Sequence, residues 1–112
     1  MFKQLIVVRN DLGGNETFKN EQIMNASLSA GAQTLNLKKF WFDIWVANSR
    51  PKDVISVNIN VLNALEKELK SMNLPFAYSF LKQNPVSLGI GPASEATIEK
   101  IKETINSLNK TE

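Results

Sequence analysis

The spacing of hydrophobic positions changes several times along the chain, and each change predicts a new element. Residues 5–8 form a short β-branched apolar run that ends in a polar turn, which predicts a buried strand. Residues 18–30 predict a helix, and its small residues Ala26, Ser27, Ser29 and Ala30 would allow it to lie close to a sheet. Asn15 or Thr17 is expected to cap this helix, and Gly31 is expected to end it.

The next segment, from Leu35 to Trp45, allows two interpretations. Leu37, Phe40 or Trp41, and Ile44 follow helical spacing, while residues 35–37 could also begin a strand. We favour a helix, followed by a loop around residues 48–51, where polar residues precede a proline.

The second half of the chain predicts three more strands and two more helices. Alternating apolar residues predict strands over 54–59, 76–81 and 86–90, the last closed by Gly91-Pro92. Asn60 is expected to cap a helix that ends at Asn73. Ser94 is expected to cap a final helix, and residues 109–112 at its end are expected to fray. Residues 82–85 form a tight connection that is too short for a crossover helix.

This order of strands and amphipathic helices predicts one domain spanning residues 1–112. The fold class is α/β, a three-layer α/β/α sandwich around a mixed four-stranded sheet. The sheet is mixed because the last two strands, if they are neighbours, must pair antiparallel.

Composition narrows the chemistry that such a domain can carry. The chain has no cysteine and no histidine, which excludes disulfides, a histidine general base, a Ser-His-Asp triad and a zinc site with His or Cys ligands. We expect no metal and no cofactor. The formal net charge of +2 permits nucleic-acid binding without arguing for it. No apolar run approaches a membrane span and no signal peptide is evident, so we expect a cytoplasmic protein.

Several short motifs, in order, resemble the type 2 (archaeal/eukaryotic-type) peptidyl-tRNA hydrolases. Residues 7–13, V-V-R-N-D-L-G, resemble the opening V-V-R-x-D-L of that family, and Gln22 and Ala26 fall on its helix pattern Q-x-x-H-A. Residues 74–75, Leu-Pro, and residues 86–92, V-S-L-G-I-G-P, resemble the family's third strand entry and closing strand. The resemblance covers nearly the whole chain and implies the family's fold and a peptidyl-tRNA substrate.

The chain departs from the family at the positions that the resemblance would make catalytic. Phe18 stands at the family's lysine, with Lys19 one residue later, and Asn25 stands at its histidine. The D-A-G-x-T-Q loop between the last two strands is missing, and Val86 stands at the closing-strand threonine. A second group with this fold opens similarly and also lacks that loop, and this chain could lie nearer to it.

Lys19 and Asp11 are the candidate catalytic residues. Lys19 lies near a predicted helix N-terminus, which favours anions, although a solvated surface lysine is the simpler explanation. Asp11 could act as a base or orient a ligand, or merely cap the following turn. Gln22 and Asn25, three residues apart on a helix, could bind a carbonyl group or base edge, but buried structural amides account for them as well.

Lys38 and Lys39 are candidate phosphate ligands beside an aromatic cluster. Bases could stack on the aromatic residues between Phe40 and Trp45, although helical spacing favours a core role for most of them. Since Phe40, Trp41, Phe42 and Trp45 cannot all face one core, we expect at least one to meet a partner or a ligand, and a homodimer through this segment is a prediction.

Three functions remain open at this point. The preferred one is a divergent member of the fold that binds or regulates, with tRNA or peptidyl-tRNA as its partner. The second is an active aminoacyl-ester hydrolase that cleaves peptidyl-tRNA, and the third is a small-molecule or protein-interaction module. Loss of several members of one catalytic set argues for the first.

Overall fold

The computed structural model describes residues 1–110, and its elements follow the predicted order. They are β1 (Phe2–Arg9), α1 (Glu16–Leu37), α2 (Lys39–Ala47), β2 (Lys52–Val57), α3 (Ile59–Ser71), β3 (Phe76–Leu81), β4 (Asn84–Ser94) and α4 (Glu95–Lys110). The strand order is β2-β1-β4-β3, with β1 parallel to β2 and β4 antiparallel to both of its neighbours. The predicted α/β class and mixed four-stranded sheet are confirmed.

Alternation along β1 separates two packing layers. Leu5 and Val7 point into a large apolar cluster with α3 and α4, while Ile6 and Val8 contact Ala26 of α1 on the opposite face. The helices therefore cover the sheet from both sides, as the three-layer prediction requires. Within residues 1–110 no helix has both the length and the apolar character needed to cross a membrane.

The predicted end of the first helix at Gly31 is wrong. α1 continues to Leu37, and Gly31 is buried within it. A Cβ added at Gly31 would lie 3.6 Å from the Phe42 ring and 3.7 Å from the Trp45 ring. Gly31 therefore lies inside the helix, beside two aromatic side chains of α2, and is not a helix terminus. The segment from Leu35 to Trp45 is helical, as favoured, but it is divided at Lys38, where φ is −143°.

Predicted caps and strand ends needed partial correction. Asn15 and Ser94 cap α1 and α4 as predicted, with their side-chain oxygens accepting from the amides of Phe18 and Thr97. The cap of α3 is Asn58 rather than Asn60, because β2 lies two residues earlier than predicted. β4 runs through Gly91-Pro92 to Ser94 instead of closing there, and α4 includes residues 109 and 110, whereas residues 111–112 of the predicted frayed tail lie outside the described chain.

Candidate functional site

One corner of the molecule gathers the candidate residues that follow β1. It consists of residues 9–19, which join the end of β1 to the first turn of α1, and of residues 82–85, where β3 turns into β4. We call this region the β1 corner. Lys82 and Gln83 form its tip, both with positive φ (49° and 72°), which is the geometry of a two-residue type I′ hairpin turn.

Arg9 holds the β1 corner together. Its Nε and Nη2 donate to the two carboxylate oxygens of Asp11 at 3.0 and 2.8 Å, and its Nη1 donates to the Pro85 carbonyl at 3.1 Å. The Arg9 side chain is only 15% exposed, and its guanidinium links the segment after β1 to the β3–β4 hairpin.

The same contact decides what Asp11 can do chemically. Its hydrogen bonds from Arg9 hold the pKa of the Asp11 carboxyl below its usual value, and the pKa of Arg9 is raised by the same pairing. Asp11 is therefore ionised at neutral pH but weakly basic, with both oxygens already accepting hydrogen bonds. Such a carboxylate suits positioning better than proton abstraction.

Lys19 lies in the first turns of α1 with its side chain exposed. Its backbone amide donates to the Asn15 carbonyl at 3.1 Å, so the beginning of the helix is well formed at this point. Among residues 1–110 Lys19 forms no ion pair. Its ammonium group is therefore available to an external anion beside the positive end of α1.

Gln22 is part of the interior rather than the surface of the corner. It is 7% exposed; its Oε1 accepts from the Ser79 hydroxyl at 2.6 Å, and its carbonyl accepts from the Ser87 hydroxyl at 3.0 Å. Asn25, in contrast, is exposed. These two predicted ligand-binding amides thus differ in their surroundings, and the contacts of Gln22 match the alternative of a buried structural amide.

Two further residues of this region, Phe18 and Val86, have apolar side chains. Val86 is 1% exposed and presents an apolar side chain at the beginning of β4. Phe18 is half-buried and lies against Gly14, where an added Cβ would come within 2.9 Å of its ring. Neither side chain can donate or accept a proton.

Lys38 and Lys39 lie at the opposite end of α1 from Lys19. Nineteen residues at about 1.5 Å each place Lys38 and Lys19 about 28 Å apart along the helix axis. Lys38 Nζ lies 5.2 Å from the centre of the Trp41 ring, and Lys39 pairs with Asp43 at 2.7 Å on the surface. The structure therefore divides the predicted cations into two groups that cannot contact the same phosphate.

The aromatic segment is mostly engaged within the chain. Trp41 stacks on Phe2 with ring centroids 5.7 Å apart, and Phe42 packs beside Trp45 at 6.0 Å. Trp45 is buried, and its indole nitrogen donates to the Pro51 carbonyl at 2.8 Å. Phe40 alone of the four is largely exposed, at 70%.

Sequence reasoning did not assign Arg9 or Lys82 to a site. The signal for Arg9 was present, since an arginine at a strand end two residues before an aspartate can reach its carboxylate. Lys82 gave no signal, because its place in the corner depends on the antiparallel pairing of β3 and β4. Among residues 1–110 no group of three or more His, Cys, Asp or Glu side chains could hold a metal ion.

A comparison with protein-family models places this geometry in a known context. The model described as Peptidyl-tRNA hydrolase PTH2 matches residues 2–108, which is almost the whole chain and includes every residue of the β1 corner.

Proposed function

The chain belongs to the peptidyl-tRNA hydrolase PTH2 family, and from that premise we propose that it is a divergent member that binds tRNA or peptidyl-tRNA with little or no ester hydrolysis. The observation that supports this most directly is the bidentate pairing of Asp11 with Arg9. It engages both carboxylate oxygens of Asp11, the candidate base of the β1 corner, and makes that carboxylate less basic. A protein of this function acts where translation occurs, in the cytoplasm.

The remaining side chains of the corner support binding rather than catalysis. By the resemblance, Phe18 and Val86 replace a lysine and a threonine, and both side chains are apolar. The missing loop is replaced by the two-residue turn at Lys82 and Gln83. Within the described chain, what remains unpaired is Lys19, in the first turn of α1, and Lys82, at the hairpin tip, and two such cations favour phosphate contacts.

Peptide release and tRNA binding, measured on the same protein, test this proposal. We expect no release of peptide from purified peptidyl-tRNA above the rate without protein, together with tRNA binding that weakens as salt increases. Each phosphate contact contributes about 0.7–0.9 to the slope of log affinity against log salt. Lys19→Ala and Lys82→Ala should each reduce that slope, while Lys67→Ala on α3 should leave it unchanged.

Other outcomes would identify the alternatives. Turnover that disappears in Lys19→Ala would make the protein an active peptidyl-tRNA hydrolase, with Lys19 as a catalytic group and Asp11 holding the attacking water. If the protein shows neither turnover nor tRNA binding, it is instead an interaction module unrelated to tRNA. A slope reduced equally by Lys38→Ala and Lys39→Ala would extend the tRNA contact along the whole of α1.

A homodimer through the segment from Phe40 to Trp45 is part of the same proposal. Phe40 and Leu37 are 70% and 64% exposed near the break between α1 and α2, and adjacent exposed apolar side chains favour association. Light scattering should give a dimer mass that Phe40→Ser converts to a monomer. A monomer mass for the wild type at micromolar concentration would contradict it.

A further inference from the structure

An apolar groove of about 720 Å³ lies between α1 and α2, on the side of the molecule away from α3 and α4. Its apolar walls include Met24, Leu28, Leu35, Phe42, Trp45 and Val46, and two cationic side chains, Arg50 and Lys52, complete it at one edge. We call it the α1–α2 groove. None of the candidate residues of the β1 corner lines it.

The groove exists because α1 covers only part of its face of the sheet. α1 packs mainly against β3 and β4, while β2 lies at the sheet edge. The register pairs Lys52 and Val54 with Gln4 and Ile6, so those side chains of β2 point to the α1 face. Lys52 is exposed and Val54 is 46% exposed, which leaves this strip of the sheet uncovered.

The groove exposes more large apolar surface than a core-facing helix normally does. Met24, Leu28 and Leu35 are 61%, 71% and 40% exposed along one side of α1. They lie between positions 24 and 35, which is about 16 Å along the helix. A contiguous apolar patch of this kind indicates a binding surface, whereas single exposed apolar residues do not.

The charge of the groove has one sign. Its lining includes two cations and no carboxylate. Arg50 is in no ion pair within residues 1–110, and Lys52 Nζ donates to the Arg50 carbonyl at 3.1 Å while lying 5.7 Å from the Trp45 ring centre. An unpaired guanidinium beside an ammonium group favours an anion at this edge.

The loop that presents Arg50 has an unfavourable backbone that its surroundings hold in place. Ser49 and Arg50 have φ of 70° and 54°, in the left-handed region that residues with a Cβ rarely adopt. The Arg50 amide donates to the Trp45 carbonyl at 2.9 Å, and the Pro51 carbonyl accepts from both Trp45 Nε1 and the Gln4 amide, at 2.8 and 3.1 Å. Backbone strain of this kind concentrates at functional sites.

We propose that the α1–α2 groove binds a small amphipathic carboxylate with one alkyl chain, which is a function beyond the one proposed above. The chain lies along Met24, Leu28 and Leu35, and the carboxylate lies between Arg50 and Lys52. The volume is that of a small-molecule site, which typically has about 300–1,000 Å³ and a few polar groups that fix orientation. A contact between this groove in two copies of the protein would bring four cations together with no carboxylate among the lining residues, which disfavours it. The dimer proposed above centres instead on Phe40, which does not line the groove.

Calorimetry and tryptophan emission with dodecanoate, kept below its micelle concentration, test this proposal. Trp45 forms part of the groove, so its emission should change on binding. We expect dodecanoate to bind at least tenfold more tightly than dodecyltrimethylammonium, which has the same chain and the opposite charge. Arg50→Glu should weaken dodecanoate at least tenfold, whereas Lys67→Glu, the same charge change on α3, should have no effect.

The apolar half of the groove needs its own variant. Leu28→Glu should abolish binding, and since Leu28 is largely exposed the protein should still unfold at the wild-type temperature. If Leu28→Glu does not fold, Met24→Glu provides the same test. No heat or emission change with dodecanoate would overturn the proposal, as would equal binding of both amphiphiles. The proposal would also be overturned if the protein forms a dimer that excludes dodecanoate, or if it binds anionic vesicles but not free dodecanoate.

Discussion

The two faces of the sheet differ in what packs against them. Under α3 and α4 the sheet presents branched apolar side chains, including Leu5, Val7, Leu88 and Ile90. Under α1 it presents Gln4, Ser79, Ser87 and Gly89 beside Ile6 and Val8. The first face buries a large apolar area, whereas the second brings a helix close to the strands through small and hydrogen-bonded side chains.

This difference separates the regions that stabilise the fold from those that carry candidate function. The α1 helix begins in the β1 corner, and the α1–α2 groove opens on the α1 face. Close approach of α1 fixes the corner geometry through buried hydrogen bonds such as those of Gln22 with Ser79 and Ser87. Because α1 is narrow and sits over β3 and β4, the same arrangement leaves the β2 side of that face open.

The largest expected effect is loss of apolar volume on the α3 and α4 face. Leu65 is fully buried on α3, so Leu65→Ala should lower the free energy of unfolding by about 2–5 kcal/mol. Leu28→Ala, the same change on the exposed side of α1, should change it by less than about 0.5 kcal/mol. Chemical denaturation measures both, and similar costs would show that the two faces stabilise the fold equally.

Close packing on the α1 face predicts the next largest effect. A Cβ at Gly89 would clash with the Ala26 carbonyl and lie 2.8 Å from the Ala30 Cβ. Gly89→Ala should therefore force α1 away from β4 and cost about 1–3 kcal/mol. Gly13 has no atom within 4 Å of the same position, and Gly13→Ala is the control. Thermal unfolding temperatures that match in the two variants would rule out this close approach.

Much of the fold follows from local signals in the sequence. The apolar runs of β1 and β3, the caps at Asn15 and Ser94, and the apolar faces of α3 and α4 depend on neighbours in the chain. The continuation of α1 through Gly31 does not, because Gly31 is a usual helix-terminating residue and only in the fold does it lie buried beside Phe42 and Trp45 of α2. Local patterns therefore indicated the element order but not the length of the helix.

The candidate site was less predictable for a related reason. Lys19 and Asp11 could be selected from the motif, yet the pairing of Asp11 with Arg9 depends on side-chain geometry that spacing alone does not fix. The separation of Lys19 from Lys38 needed the true length of α1. The cations Arg50 and Lys52 share an edge with the groove only because α2 returns the chain to β2.

Gln22 provides a sharper test of the polar packing under α1. Gln22→Leu would remove the acceptor of the buried Ser79 hydroxyl and should cost about 1–3 kcal/mol. Adding Ser79→Ala should recover part of that loss, because no unpaired hydroxyl then remains. If Gln22 instead contacts the ligand directly, the single variant would lose tRNA affinity at temperatures where circular dichroism shows that it is fully folded.

The smallest expected effect is electrostatic and belongs to the α3 and α4 face. Asp53 accepts from Lys102 at 2.5 Å and pairs with Lys3 at 2.7 Å, and these contacts, Lys102 foremost, lower the pKa of its carboxyl in the folded protein. A lowered pKa in the folded protein gives a stabilisation that is complete above the unfolded value of about 3.9. It is lost as the pH falls through the folded value.

Replacing the carboxylate should therefore remove a pH-dependent part of the stability. Asp53→Asn should cost less than about 1 kcal/mol at pH 7, since solvent screens a side chain that is 34% exposed. In Asp53→Asn the free energy of unfolding should also fall less steeply than in the wild type as the pH is lowered below 5. Denaturation at each pH measures this decline. Glu66 on α3 is a second carboxylate whose pKa is lowered, in this case by Tyr78 and Lys70. The same pH series on Glu66→Gln therefore provides the comparison. An unchanged acid decline in Asp53→Asn would mean that the link from β2 to α4 is too solvated to stabilise this face, leaving apolar burial as its source of stability.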